Sequence, residues 1–219
     1  MNTILTAKDG HTFNCWIEPA VGNTKGSLII LQEIFGVTDQ LKGVARRYAQ
    51  QGFQVAIPAL FDRYDANVVV PFDQPMVGLN ISRNSDLTQT LNDIEATVSH
   101  LNRNQLNVAV MGFCWGGGLA VKCAQTFPLA AAVAFYGTQL PLYLQDDLRA
   151  PVQAHFGLHD DHTPKALVES VTQRFPDIET YWYEAGHAFA NDARQNYVAD
   201  AAELAHERST EFLTGHLVL

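Results

Sequence analysis

The chain has 219 residues, of which 47% are hydrophobic and 17% are charged, and its formal net charge is −9. This balance is typical of a globular protein with a substantial core, and because no Lys/Arg stripe is present, nucleic acid and anionic membrane are poor candidate partners. Three cysteines without paired spacing argue against a disulfide framework. The N-terminal segment lacks signal-peptide features and no apolar run reaches membrane length, so we expect a cytoplasmic protein.

The first 58 residues predict mainly strands. Residues 3–7 and 12–17 predict an antiparallel hairpin with its turn at Asp9-Gly10. The continuous apolar run 27–31 predicts a strand that is covered on both faces. A helix follows over 38–51, with Thr38 or Asp39 as its N-cap and Gly52 just past its end, and then a strand over 53–57 closed by Pro58.

The rest of the chain, from residue 59, continues the alternation of strands and helices. Residues 59–82 lack clear periodicity and predict an irregular segment, whereas residues 84–102 return to helical spacing. The remaining elements are strands over 107–112, 130–136, 152–157 and 179–183 and helices over 115–127, 164–175 and about 197–213. This order predicts a single α/β domain over residues 1–219, with a mostly parallel central sheet, helices on both faces and an N-terminal antiparallel hairpin. A ligand site is expected beyond the carboxyl ends of the strands.

The strongest local signal is the run Gly112-Phe-Cys-Trp-Gly116. It has the G-x-nucleophile-x-G form of a sharp strand-to-helix turn, with Cys114 where serine is usual. A sulfur at a helix N-terminus is favoured as an anion by the helix dipole. The alternative is a structural cysteine beside a glycine-rich packing contact, which is our interpretation of Cys123. The strand–turn–helix context favours Cys114 as a nucleophile.

A nucleophile elbow predicts an acid and then a histidine later in the chain. Asp160 and Asp161 both follow the strand 152–157, and the G-x-x-D-x-x-x-P spacing favours Asp160. Asp161 stays open as a competitor because Asp is common in turns. His187 follows the last strand, and Gly186 gives the backbone freedom to turn its imidazole back over the sheet. Nucleophile, acid and base therefore occur in the expected order.

The loop after the strand 27–31 supplies the other candidates. In an α/β-hydrolase, which carries a nucleophile elbow of this kind, the loop after this strand provides the second amide of the oxyanion hole. The backbone N–H groups of Ile34 and Trp115 are therefore candidate donors. Glu33 is either a surface carboxylate or a partner of the Cys114 thiol that controls its ionisation. Phe35 and Trp115 are candidate substrate-contacting aromatics, although core packing explains them equally well.

Four segments carry a specific combination of motifs. They are Gln32-Glu-Ile-Phe-Gly-Val37, Gly112-Phe-Cys-Trp-Gly-Gly117, the Asp160 loop and Glu184-Ala-Gly-His-Ala-Phe189. This combination, which extends over Leu28 to Phe212, resembles the dienelactone hydrolase (carboxymethylenebutenolidase) family. The resemblance implies an α/β-hydrolase fold, a triad of Cys114, Asp160 and His187, and a Glu33 that holds or activates the thiol when substrate binds. It also implies hydrolysis of an enol-lactone through a thioacyl-enzyme, with no metal or organic cofactor.

The sequence departs from the family pattern where a substrate carboxylate is held. Asn191 stands where the family has an arginine shortly after the histidine motif, and Arg194 lies a little further on. Arg63 and Arg83 are candidate replacements for the family's other substrate-binding arginine. We therefore expect this chain to share the family's chemistry and to act on a small lactone or ester. The departures mean that the resemblance does not identify this substrate.

Three alternatives remain open at this point. The first is a thiol esterase or thioesterase that acts on a neutral small ester, and the second is a non-catalytic relative that binds a ligand or a protein partner. The third is a metal enzyme, because His155, His159, Asp160 and His162 lie close together in the sequence. This cluster has metal-ligand spacing only on a helix, whereas the segment predicts a strand and a turn. We expect a monomer or a small homo-oligomer.

Overall fold

The computed structural model describes residues 2–102 and 107–217. These residues fall into two compact units, one that ends at Val108 and one that runs from Ala109 to Leu217. The expected single domain stays a prediction, and residues 1, 103–106, 218 and 219 of its range lie outside the described residues.

The first unit contains four strands in the order β1-β2-β4-β3. The strand β1 pairs antiparallel with β2, β2 pairs antiparallel with β4, and β3 runs parallel to β4. Alternate residues of β2 are buried, whereas every residue of β3 is buried, as expected for a strand covered on both faces. The strands and helices are β1 (Asn2–Thr6), β2 (Thr12–Glu18), β3 (Gly26–Leu31), α1 (Asp39–Gln50), β4 (Phe53–Pro58), α2 (Pro75–Asn84) and α3 (Leu87–Asn102).

The second unit contains four parallel strands in the order β5-β6-β7-β8. All residues of β5, β6 and β7 are buried, which is the pattern of strands in the interior of a parallel sheet. Because the strands are parallel, the loops that follow them leave the sheet at the same edge. The elements are β5 (Val108–Phe113), α4 (Trp115–Thr126), β6 (Ala132–Phe135), β7 (Val152–Gly157), α5 (Lys165–Arg174), β8 (Glu179–Tyr183) and α6 (Ala199–Leu217).

The predicted fold class, α/β with mostly parallel strands and an N-terminal antiparallel hairpin, is confirmed. The bounds of β7 and β8 match the prediction, and the Thr38 side chain caps α1 by accepting from the backbone N–H of Leu41. Within the part of the chain that is described, no helix combines the length and apolar character needed to cross a membrane.

The prediction of an irregular segment over 59–82 was wrong. A short 3₁₀ helix forms over Leu60–Arg63, and α2 begins with Pro75 in its first turn. Its apolar residues Met76 and Val77 are exposed, so the amphipathic spacing that marks a helix is lost. The next helix begins at Leu87 rather than residue 84, because Ser85 is extended with ψ 129°.

Two other predicted boundaries also need correction. The strand predicted over 130–136 is limited to β6, and it ends where Tyr136 takes φ 39°. A positive φ of this kind cannot continue a strand. The last helix runs to Leu217, four residues past its predicted end at 213.

A buried histidine joins β7, β8 and α6 inside the second unit. His155 is fully buried, and its Nδ1 lies 2.8 Å from Tyr183 Oη while its Nε2 lies 3.0 Å from Gln153 Oε1. The Gln153 amide nitrogen donates to Glu179, so its Oε1 needs a donor, and Nε2 of His155 must carry the hydrogen. Arg208 donates to Tyr183 Oη, which leaves the phenol hydrogen available to Nδ1. His155 is therefore neutral in this network.

This network predicts a stability loss at mildly acidic pH. Burial, together with the charges of His206 and Arg208, lowers the pKa of His155 well below its ordinary 6.5. A group whose native pKa is depressed contributes stability above the unfolded pKa, and that stability is lost as the pH falls below about 6.5. We expect His155 to contribute a slope of up to about 1.4 kcal/mol per pH unit to the unfolding free energy between pH 6.5 and 5.

The slope is measured by urea unfolding at several pH values. His155→Gln should be less stable at neutral pH but should show a smaller loss of stability on acidification. The exposed His216 on α6 offers a matched control, since His216→Gln should keep the wild-type slope. An unchanged slope in His155→Gln would contradict this account of the network.

Candidate active site

Cys114 occupies a strained turn between β5 and α4. Its backbone has φ 54° and ψ −114°, a conformation that L-residues rarely adopt. Its N–H donates to the carbonyl of Phe135 at 3.0 Å, and its carbonyl accepts from Gly118 at 3.2 Å and from Thr138 at 3.0 Å. The turn is possible because Gly112 has no side chain, since a Cβ there would lie 1.9 Å from the carbonyl oxygen of Gly116. The backbone around Cys114 is therefore held by hydrogen bonds on both sides.

The three cysteines, all of them described, differ in their surroundings. Cys15 and Cys123 are buried, and burial raises the pKa of Cys15 to about 12 and also raises that of Cys123. Cys114 is partly exposed and directly precedes Trp115, the first residue of α4. The backbone N–H groups of a first helical turn favour negative charge beside them. Cys114 therefore has the exposure and surroundings of a reactive thiol, and the two buried cysteines do not.

Asp160 and His187 lie together at the carboxyl ends of β7 and β8. Nδ1 of His187 lies 2.7 Å from Oδ2 of Asp160, whose side chain is fully buried. Burial raises the pKa of Asp160, but hydrogen bonds from His187 and Thr163 outweigh it, and the net pKa is lowered. For His187 burial lowers the pKa, whereas hydrogen bonds to Asp160 and Cys114 raise it more strongly, to about 10. The second unit thus brings Cys114, His187 and Asp160 into one hydrogen-bonded series.

The Asp160 carboxylate also organises its own loop. Oδ1 accepts from the backbone N–H of His162 at 2.8 Å and of Thr163 at 3.2 Å, and Oδ2 accepts from Thr163 Oγ1 at 2.7 Å. Asp161 is exposed, and the hydrogen bond to His187 is made by its neighbour Asp160. The role of Thr163 was missed from sequence, although a hydroxyl three residues after an aspartate is a common turn signal.

The loops that carry Asp160 and His187 are joined to each other. Leu158 N–H donates to Tyr183 O at 2.8 Å, and His159 N–H donates to Ala185 O at 2.9 Å. The side chains of His159 and Glu184 form an exposed contact across the same two loops. The spacing between Asp160 and His187 is therefore set by backbone pairing that continues beyond the last paired residues of β7 and β8.

The loop that carries His187 turns at a different residue from the one that the sequence suggested. Gly186 does not have a positive φ, whereas Ala188, the residue after His187, has φ 62°. The carbonyl of His187 accepts from Asn196 Nδ2 at 3.1 Å, which helps to hold the turn. The strained residue of this loop is therefore on the C-terminal side of His187 rather than on its N-terminal side.

In the first unit, Glu33, Ile34 and Phe35 follow β3 in a tightly held loop. Gln32 is buried, and its side chain accepts from Leu60 N–H at 3.1 Å and donates to the Glu33 carbonyl at 3.3 Å. Glu33 is 7% exposed. The loop therefore has a fixed course around Glu33.

Two further contacts hold the rest of this loop. The Phe35 carbonyl accepts from Val70 N–H at 3.0 Å, and its ring meets that of Phe72 with centroids 4.8 Å apart. A Cβ at Gly78 of α2 would lie 1.7 Å from the Ile34 carbonyl oxygen, so α2 is in direct backbone contact with the loop. The predicted roles of Glu33, Ile34 and Phe35 toward Cys114, which belongs to the other unit, stay predictions.

The histidines that suggested a metal enzyme have separate partners. His155 lies in the buried network with Tyr183, His159 contacts Glu184, and the ring of His162 contacts His187. In residues 2–102 and 107–217, no three His, Cys, Asp or Glu side chains are grouped so as to hold a metal ion.

The arginines proposed for a substrate carboxylate are in different settings. The guanidinium of Arg63 donates to both oxygens of Asp93, at 2.8 and 2.7 Å, and forms an ion pair with Asp9 at 2.9 Å. Arg83 is exposed in the last turn of α2, and Asn191 is buried, with its side-chain oxygen accepting from Ala193 N–H. Arg63 is therefore already engaged by two carboxylates.

Comparisons with known proteins agree with the fold and with the family that the sequence resembles. The model of the dienelactone hydrolase family matches residues 17–217. A carboxymethylenebutenolidase from Pseudomonas putida is 30% identical over 95% of this chain and 94% of its own, and a putative carboxymethylenebutenolidase from Yersinia pestis is 34% identical over 86% and 78%. The crystal structure of a putative dienelactone hydrolase from Klebsiella pneumoniae has a TM-score of 0.83 at 26% identity, covering 96% of this chain and 98% of the other. The chain therefore belongs to the dienelactone hydrolase family of carboxylic ester hydrolases.

Proposed function

We propose that this protein opens a small enol-lactone or a related ester through Cys114, His187 and Asp160, by way of a thioacyl-enzyme intermediate. The observation that carries the proposal is the hydrogen-bonded series from Asp160 to His187 to Cys114 at the carboxyl ends of parallel strands. A nucleophile, a base and an orienting acid in this order are the components of acyl transfer. The predictions of a cytoplasmic location and of a monomer or small homo-oligomer stay predictions.

In the first half of the reaction, Sγ of Cys114 attacks the substrate carbonyl carbon while the thiol proton passes to His187. The buried Asp160 carboxylate supports the role of His187 as proton acceptor, because it stabilises the imidazolium that forms. The N–H of Trp115, at the start of α4, is a candidate donor to the oxyanion. The Ile34 amide and a role for Glu33 belong to the same proposal as expectations from sequence.

In the second half, the tetrahedral intermediate collapses and the ring C–O bond breaks. The departing enol oxygen takes the proton from His187, and the acyl group remains on Cys114 as a thioester. His187 then accepts a proton from water as the water attacks the thioester carbon. The carboxylic acid leaves, and the proton returns to the Cys114 sulfur, so the enzyme is restored without a cofactor.

A second candidate function is hydrolysis of a neutral small ester or thioester. It is favoured by Asn191, which is buried at the position where the family has an arginine, and by Arg63, which is engaged by Asp9 and Asp93. Comparison of a carboxylated dienelactone with a simple neutral lactone and an aryl ester separates the two candidates. Much higher kcat/KM on the carboxylated substrate supports the first candidate, and a preference for the neutral ones supports the second.

The thioacyl intermediate is tested by locating it. The protein is mixed with p-nitrophenyl acetate, quenched in acid within the first turnover, digested and examined by peptide mass spectrometry. We expect an acetyl group on the peptide that contains Cys114 and none on Cys15 or Cys123, whose burial keeps them as unreactive thiols. Cys114→Ala should show no adduct. An adduct on another side chain, or hydrolysis that persists in Cys114→Ala, would contradict the proposal.

A further inference from the structure

His162 takes no part in the chemistry proposed above, yet it contacts the base. It lies on the loop between β7 and α5, and it is exposed. The centroid of its ring is 4.5 Å from that of the His187 imidazole, with the ring planes inclined by 54°. An exposed loop histidine without a function would normally turn its ring into water. Here the ring lies instead against the base.

The same carboxylate places both imidazoles. Oδ2 of Asp160 accepts from Nδ1 of His187, and Oδ1 accepts from the backbone N–H of His162. Asp160, the acid of the proposed triad, thus fixes the loop backbone at His162. The His162 ring packs against His187, which the same carboxylate orients. A shift of Asp160 would therefore disturb both the His187 ring and the backbone that carries the His162 ring.

The His187 ring also contacts Asp160, Cys114 and Tyr136. Nδ1 is held by Asp160, and the ring meets Tyr136 with centroids 5.1 Å apart at an angle of 63°. The hydrogen bond to Cys114 is lost when Sγ attacks the substrate, and the single hydrogen bond that remains at Nδ1 fixes that atom but permits the ring to tilt about it. Since Nε2 lies on the far side of the ring, a small tilt produces a large displacement of the atom that faces Cys114.

We propose that His162 is a positioning residue, which packs against the His187 imidazole and limits its tilt toward and away from Cys114. This inference rests on the proposed function, since it assigns His187 as the base. Reacting groups that are misplaced by about 1 Å can lose roughly 10²-fold in rate. Because Asp160 and Tyr136 would still restrain the ring, we expect a smaller loss, on the order of 10-fold, when the His162 ring is removed.

The test compares His162→Ala, which removes the ring, with His162→Phe, which keeps a planar ring that cannot transfer a proton. The burst of p-nitrophenolate from p-nitrophenyl acetate gives the acylation rate constant, and its concentration dependence gives the half-saturating ester concentration. We expect acylation to slow by about 10-fold in His162→Ala, with half-saturation changed less than about twofold. In His162→Phe the rate should return to within about threefold of wild type.

His216→Ala is a matched control, because His216 is also exposed and its ring also lies 4.5 Å from another ring, that of Phe212. It should leave the acylation rate unchanged. Thermal unfolding of each variant shows whether a slower rate follows a loss of stability, which we do not expect for an exposed side chain.

Three results would overturn the proposal: a wild-type rate in His162→Ala, a rate in His162→Phe as low as that in His162→Ala, or a change confined to half-saturation. The first shows that the ring contact is unimportant, and the second shows that ring packing is not the cause. The third makes His162 a binding residue. Failure of the proposed function looks different, since wild-type protein would then show no burst or an acyl group away from Cys114.

Discussion

Replacing Asp160 with asparagine is expected to lower kcat for ester hydrolysis by about 10⁴-fold while the fold is retained. Four donors converge on this carboxylate, namely His187 Nδ1, the N–H groups of His162 and Thr163, and the Thr163 hydroxyl. An amide keeps the size of the carboxylate but turns one of its two acceptor oxygens into a donor.

The amide must then place its NH₂ group either toward His187 or toward the loop. Toward His187, it favours the tautomer whose Nδ1 is an acceptor, and Nε2 then carries the hydrogen and cannot take a proton from Cys114. Toward the loop, it faces the N–H groups of His162 and Thr163, which are already donors. In either orientation, at least one of the hydrogen bonds that the carboxylate accepts is lost. The loss is measured as kcat with p-nitrophenyl acetate.

Asp161→Asn is the matched control for this experiment. Asp161 has the same side chain one position along the chain, but it is exposed and does not make the bond to His187. Its replacement should change kcat by less than about twofold, as for most exposed substitutions. Equal losses in the two variants would mean that the loop, rather than the Asp160–His187 bond, determines the rate.

Replacing Gly112 with alanine is expected to destabilise the protein by about 3 kcal/mol or more and to abolish hydrolysis. The added Cβ would lie 1.9 Å from Gly116 O, 2.2 Å from Gly116 C and 2.8 Å from Gly117 N. All three are backbone atoms of the first turn of α4, so no side chain can move aside. The strand and the helix must separate, and the turn at Cys114 must open.

Urea unfolding and kcat together measure this change. Gly215→Ala offers a control in the same unit, since it lies in α6 and an added Cβ would meet no atom within 4 Å. Alanine is favoured over glycine within helices by up to about 1 kcal/mol, so this control should be as stable as wild type or slightly more stable. A Gly112→Ala protein with wild-type stability and activity would show that the turn has room that the structure does not indicate.

Much of the fold follows from patterns that are local in the sequence. The apolar runs of β3 and β5 predict buried strands because each of these strands is covered on both faces. The helix α2 could not be predicted in this way. It exposes apolar side chains and approaches the Ile34 carbonyl through Gly78, a contact that has no signature in periodicity.

The residues of the candidate site likewise fall into those that local sequence patterns predict and those that depend on tertiary contacts. Cys114 follows the buried strand β5 and His187 follows the partly buried strand β8, each in a recognisable motif, so their place at the edge of the sheet could be predicted. The contact of His162 with His187 could not, because it depends on how one carboxylate folds its loop and where that loop meets the next. Likewise, the positive φ of Ala188 depends on tertiary contacts rather than on residue type.

The backbone bonds that join the loops after β7 and β8 have a consequence for how the protein opens. The backbone N–H groups of Leu158 and His159 donate to the carbonyls of Tyr183 and Ala185. Neither loop can therefore unfold without breaking the hydrogen bonds that it shares with the other. Amide hydrogens on the two loops should therefore exchange with solvent in one cooperative step, as a single unit of local unfolding. Thermal fluctuation then displaces Asp160 and His187 together, and conformers that keep only one of these side chains in place are rare.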